Sequence, residues 1–112
     1  MGGLVLLCVE ASGQLSPIDP KKRAALEAQL NQVEIKQERA KVLLDLHDQL
    51  MYSEPVRGYV YNEQALNLAK TLRNDVLLSR AYGNKGNQSF DAGNLDQALQ
   101  YYLKASNLIK IE

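Results

Sequence analysis

Residues 79–108 read SRAYGNKGNQSFDAGNLDQALQYYLKASNL, and the fold turns on how the glycines in this stretch are taken. Gly83, Gly86 and Gly93 would suit a flexible binding loop. Yet apolar and small residues recur through the stretch at spacings of three and four, which is the pattern of an amphipathic helix. Gly86 inside such a helix makes physical sense where a neighbouring helix comes so close that a side chain would stand in the way. Gly93 followed by Asn94 is a helix stop, because glycine readily takes the left-handed conformation that ends helices. The stretch is thus expected to be two tightly packed helices, over 75–92 and 95–111, joined by a short turn.

Working toward the N-terminus, the text stays helical back to Lys21, with no sustained alternation that would mark a strand. Ser53-Glu54-Pro55 ends one helix and starts the next, over 54–72, because proline suits the first helical turn. Earlier helices are expected over 20–32 and 36–52. The boundary between them, near 34–37, is the least marked, and one continuous helix is the alternative. Asp19-Pro20 supplies an N-cap and first helical position. Connections of a few residues make successive helices antiparallel neighbours. The fold class is all-α, built of antiparallel helical hairpins.

The chain also repeats itself. At an offset of 40, YNEQALNLAK (61–70) lies over YYLKASNLIK (101–110), with identity at Tyr61/Tyr101, Ala65/Ala105, Asn67/Asn107, Leu68/Leu108 and Lys70/Lys110. Gly58 falls on Ala98, both small. In the second unit Tyr82, Gly86, Gly93, Ala98, Tyr102 and Ala105 stand at the spacings of the tetratricopeptide consensus, and the unit resembles that family. The first unit holds its two small positions with Gly58 and Ala65, while Asn62 replaces the aromatic. Lys85, Ser89 and Lys110 depart from the family pattern. The resemblance implies a right-handed superhelical solenoid fragment: a capping helix over 20–37, repeat 1 over 38–74 and repeat 2 over 75–112. YNEQALNLAKTLRND and RAYGNKGNQSFDAGNLDQALQYYLKA further resemble the extracytoplasmic repeats of Bacteroidetes-type sensor histidine kinases and regulators, which implies a role in two-component signal transduction.

Composition bounds the partners. Thirteen basic residues balance thirteen acidic ones, so no global field draws the chain to nucleic acid. Cys8 is the only cysteine, which excludes an intramolecular disulfide and a cysteine-rich zinc site. It sits in GLVLLCVEASGQ, an apolar run too short to cross a membrane. That run reads either as the tail of a truncated signal peptide with a linker, over 1–19, or as a frayed apolar terminus. The first reading places the chain outside the cytoplasm, in the periplasm; the second leaves it cytoplasmic, as a stand-alone adaptor for a peptide or partner helix.

No enzyme is expected. His47 is the lone histidine, expected at a surface or interface, and neither a catalytic, metal nor cofactor constellation is legible around it. By the resemblance, the first helix of each pair lines a concave groove. Arg80, Gly83, Asn84, Asn87 and Asp91 would face it and hold a protein or peptide partner, asparagine offering donor and acceptor together. The matching first-unit positions, Ala40, Leu43, Leu44, His47 and Met51, are mostly apolar, and the stripe Leu26, Leu30, Val33 is expected to cover them as a cap. Leu43 and His47 fit poorly with a chaperone-type carboxylate clamp. The apolar end, Leu108, Ile109 and Ile111, points to a fragment of a longer array or to self-association through the last helix.

Overall fold

Pro20–Leu50 forms a single helix, α1, of 31 residues in the computed structural model, which describes residues 19–109. The leader and Cys8 lie outside the described residues, as does the end of the last expected helix. Among the described residues three further helices follow, α2 (Pro55–Leu72), α3 (Asp75–Asp91) and α4 (Leu95–Leu108), and there are no strands. The protein is all-α. No helix of the described residues is long and apolar enough to cross a membrane. Compact units fall at Met1–Asn31 and Gln32–Glu112. The second holds the C-terminal part of α1 together with α2, α3 and α4.

Local chemistry explains the boundaries. Asp19 Oδ1 accepts from Lys21 N–H at 3.2 Å, and Pro20 opens α1. Pro55 opens α2 in the same way, its missing N–H being one that the first turn could not use. Arg73 closes α2 in the left-handed region, φ 53°, and its N–H caps the carbonyl of Lys70. Asn74 then caps α3, its side chain accepting from Leu77 N–H at 3.0 Å. Asn94 does the same for α4 through Gln97 N–H at 3.1 Å. Gly93 turns between them at φ 82°, where a β-carbon would be strained.

Two helices expected before residue 52 are one. Residues 34–37, Glu-Ile-Lys-Gln, contain neither glycine, proline nor a capping residue, so nothing interrupts the hydrogen-bond ladder. This changes what covers the apolar residues of α1. Leu26, Leu30 and Val33 are 56, 61 and 46% exposed and lie on the same helix as the residues they were expected to cap. Ala40, Leu43 and Leu44 are buried against Ala65, Leu66 and Ala69 of α2 and Leu77 and Ala81 of α3. They form the core rather than a groove. Met51 is half-buried.

The pairing of α3 with α4 is antiparallel, since contacts descend in α4 as they ascend in α3. Ser79 Oγ donates to Ala105 O at 2.9 Å, and Ser89 Oγ meets Gln97 Oε1 at 3.2 Å. Ala98 is 2% exposed. Gly86 is buried, and a β-carbon there would lie 2.5 Å from Cε1 of Tyr102. The Tyr102 ring therefore occupies the space that a side chain on α3 would need. Gly58 holds a milder version of the same relation, with a β-carbon 3.3 Å from the His47 carbonyl oxygen.

Replacing Ala98 with Leu forces extra volume into this seam and should destabilise the chain by about 1–3 kcal/mol. Chemical denaturation monitored by circular dichroism measures it; an unchanged midpoint would contradict close packing at this residue.

Candidate functional site

α3 carries the residues expected to face a partner, and it sets them in one strip. Arg80, Asn84, Asn87 and Asp91 follow at intervals of four, three and four, which on a helix stacks them along a single face. Gly83 lies beside the strip, and an added β-carbon there would meet nothing within 4 Å. Asn87 and Asp91 are exposed, whereas Arg80 and Asn84 are half-buried.

Arg80 is already held. Its Nη2 donates to Asp48 Oδ2 at 2.7 Å and to Asp45 Oδ1 at 2.9 Å, so the guanidinium ties α3 to α1. All three side chains keep substantial solvent contact, which limits each pair to about 0–1 kcal/mol. Asp48 has a second donor. The His47 ring is 2% exposed, and its Nδ1 lies 2.9 Å from Asp48 Oδ1; a carboxylate only accepts, so Nδ1 carries the proton. Partial burial works against the Asp48 charge, but the hydrogen bonds from His47 and Arg80 outweigh it and hold its pKa below the ordinary aspartate value. His47 was expected at a surface or interface. It is instead a core residue that reaches the next side chain along the helix.

Asn84 is engaged as well. Its Nδ2 donates to Asn62 Oδ1 at 2.8 Å, and the Asn62 amide in turn donates to Ala81 O at 3.0 Å. Asn62, on α2, is 2% exposed, so this is a satisfied buried polar link between two helices. Asn87 accepts from the Tyr102 hydroxyl of α4 yet remains exposed, leaving its amide N–H groups toward solvent. Of the four strip residues, Asn87 and Asp91 therefore offer the most free capacity.

On α4's other flank, Tyr82 and Tyr101 stack at 6.2 Å between ring centroids. Lys104 Nζ sits 5.4 Å from the Tyr82 centroid and Lys85 Nζ 5.3 Å from that of Tyr101, within reach of a cation–π attraction. Lys85 also meets Glu63 at 2.8 Å. Partial burial disfavours its ammonium, but Glu63 more than compensates and keeps its pKa above the usual lysine value. A depression of about 300 Å³ borders Tyr82, Lys104, Asn107 and Leu108, and one of about 540 Å³ lies over the turn from Ala92 to Asp96. Neither includes a residue of the strip.

Asp45, Asp48 and Asn62 are functional neighbours of the strip that sequence reasoning missed. Two aspartates three apart on α1 were a readable signal for an arginine partner, but nothing in the sequence named which basic residue it would be. No protein-family profile, curated protein or solved structure matches the chain.

Two substitutions separate the roles. Asn62→Ala leaves the Asn84 amide without its partner and should cost about 1–3 kcal/mol, read as a lowered denaturation midpoint. For Asp48, whose folded pKa is depressed, the stabilisation is fully present above the unfolded value of about 4 and is lost as pH falls through the folded pKa. The stability difference between the chain and Asp48→Asn should therefore shrink in titrations taken below about pH 3. A constant difference across that range would remove Asp48 from the tie.

Proposed function

We propose that this chain is a tetratricopeptide-type helical-repeat scaffold that binds a protein or peptide partner along the polar strip of α3. The observation that carries the reading is the strip itself: Arg80, Asn84, Asn87 and Asp91 share one face, and Asp45 and Asp48 of α1 border it through Arg80. Two helices thus contribute to one polar surface, fixed before any partner arrives. Side chains already restrained lose less entropy on binding. The 40-residue repeat and the small residues at Gly58, Ala65, Gly86, Ala98 and Ala105 support the repeat-scaffold reading.

Asparagine at 87 suits an extended backbone, because its amide can donate to a peptide carbonyl while its oxygen stays on Tyr102. Asp91, one turn on, adds a negative charge that favours a partner with a basic side chain nearby. On this reading the chain acts by binding rather than by chemistry. In the wider setting suggested by the sequence resemblance, the module opens an extracytoplasmic sensor region of a signal-transduction protein.

Peptides selected from a random display library against the folded chain provide the test. Their binding should perturb the backbone amide resonances of α3 around Asn87 and Asp91. Asn87→Ala should weaken that binding about tenfold, the worth of one well-made hydrogen bond, without lowering the denaturation midpoint. Selected peptides that perturb only other helices, or that bind Asn87→Ala equally well, would reject the strip as the binding face.

A further inference from the structure

Each amide of the α3 strip has its polarity set by the group behind it. The Ala81 carbonyl only accepts, so the end of Asn62 that meets it at 3.0 Å is the NH2 group. Asn62 is 2% exposed and cannot turn over without losing that bond. Its Oδ1 therefore faces α3 and accepts from Asn84 Nδ2 at 2.8 Å. Turning Asn84 over would set two oxygens against each other with no proton between them. Asn84 Oδ1 has no partner among the described residues, and none of their enclosed side-chain polar atoms is unpartnered, so this oxygen is open to solvent. At Asn87 the order is the reverse: Oδ1 accepts from the Tyr102 hydroxyl, and the NH2 group is left outward.

From N to C, α3 thus presents a fixed acceptor at Asn84, a donor at Asn87 and a carboxylate at Asp91. Arg80 adds no free positive charge, because Asp45 and Asp48 take up its guanidinium. Asn84 and Asn87 stand about 4.5 Å apart along the helix axis, and Asp91 lies about 6 Å further on. An extended peptide sends N–H and C=O groups to the same side, and its rise of about 3.3 Å per residue brings one of each within reach of the two asparagines. A carboxylate fits badly, having no proton for Asn84 and being repelled by Asp91.

We propose that Asn62 is a positioning residue that decides what the strip selects. By holding Asn84 oxygen-outward, it selects an extended peptide that donates a backbone N–H to Asn84 and places a carbonyl on Asn87. A Lys or Arg side chain about two residues away meets Asp91. This rests on the strip being the binding face.

The probes are end-blocked peptides selected against the folded chain, each remade with one backbone N–H at a time replaced by an ester oxygen. At one position the ester should weaken binding about tenfold, the worth of one hydrogen bond. In Asn62→Leu, Asn84 is free to turn its NH2 group to the ester, so the same replacement should cost about threefold or less, with helix content unchanged by circular dichroism. The intact chain gives a second readout. On binding, the side-chain NH2 resonances of Asn87 should shift while those of Asn84 stay in place. Replacing the peptide's basic residue with norleucine should weaken binding to the chain but not to Asp91→Asn. Peptides that perturb α3 yet tolerate every ester would overturn the proposal and leave the binding face standing. So would Asn84 NH2 resonances that move as far as those of Asn87, or a full ester penalty in folded Asn62→Leu. Peptides that perturb no residue of α3 would reject the binding face itself, and the proposal with it.

Discussion

The helices of this chain stand close enough together that alanine fills the space between them. Ala40, Ala65, Ala69 and Ala81 are fully enclosed, and Ala98 nearly so. The helices would have to stand further apart for a larger residue to enter at any of these positions. Close approach has a return: backbones and short side chains make dense dispersion contacts that a looser bundle would forgo. Everything else in the fold accommodates this spacing. Gly86 yields its volume to the Tyr102 ring, and Gly58 yields to the backbone of α1. Leucines 43, 44, 66 and 77 then fill what the alanines leave.

A core of alanine and leucine is slippery, because one register of small residues packs nearly as well as the next. The polar links remove that ambiguity. Asn62 can satisfy its amide on Ala81 and Asn84 in one register only, and a shift of one residue would bury it unpaired. Arg80 gives a second, outer tie by reaching two aspartates on α1. The outer tie contributes little energy in water, yet together with Asn62 it aligns α1, α2 and α3. Arg80 and Asn84, which help fix the register, lie on the same face of α3 as Asn87 and Asp91, the residues proposed to meet a partner.

The two units of the repeat differ where their neighbours differ. α2 carries Asn62 and Glu63 because a helix with matching polar groups covers it. α4 carries Tyr102 and Leu103 at the corresponding positions, where Tyr102 serves Gly86 and Asn87 of its own hairpin. The difference between the two units at these positions follows what each helix faces. That is why Asn62 at an expected aromatic position read as an imperfection in sequence and is a structural link in the folded chain.

Helix ends were legible in the residues themselves. Asp19 with Pro20 and Pro55 mark helix starts and Gly93 marks a turn, each by local backbone chemistry that needs no tertiary context, whereas the N-cap roles of Asn74 and Asn94 emerged only in the structure. The strip of Arg80, Asn84, Asn87 and Asp91 on α3 was singled out by the family resemblance, and helical periodicity accounts for its residues sharing one face. Less was readable where the outcome depended on a choice between partners. Residues 34–37 hold neither a breaker nor a cap, so the join between two expected helices was decided by continuity of the hydrogen-bond ladder. Apolar residues 40, 43 and 44 could have been covered from either side in sequence terms, and α2 with α3, not Leu26 and Leu30, cover them. Periodicity specifies which face of a helix is apolar; only the assembled helices decide what that face meets, because contact energies depend on which surfaces come within reach.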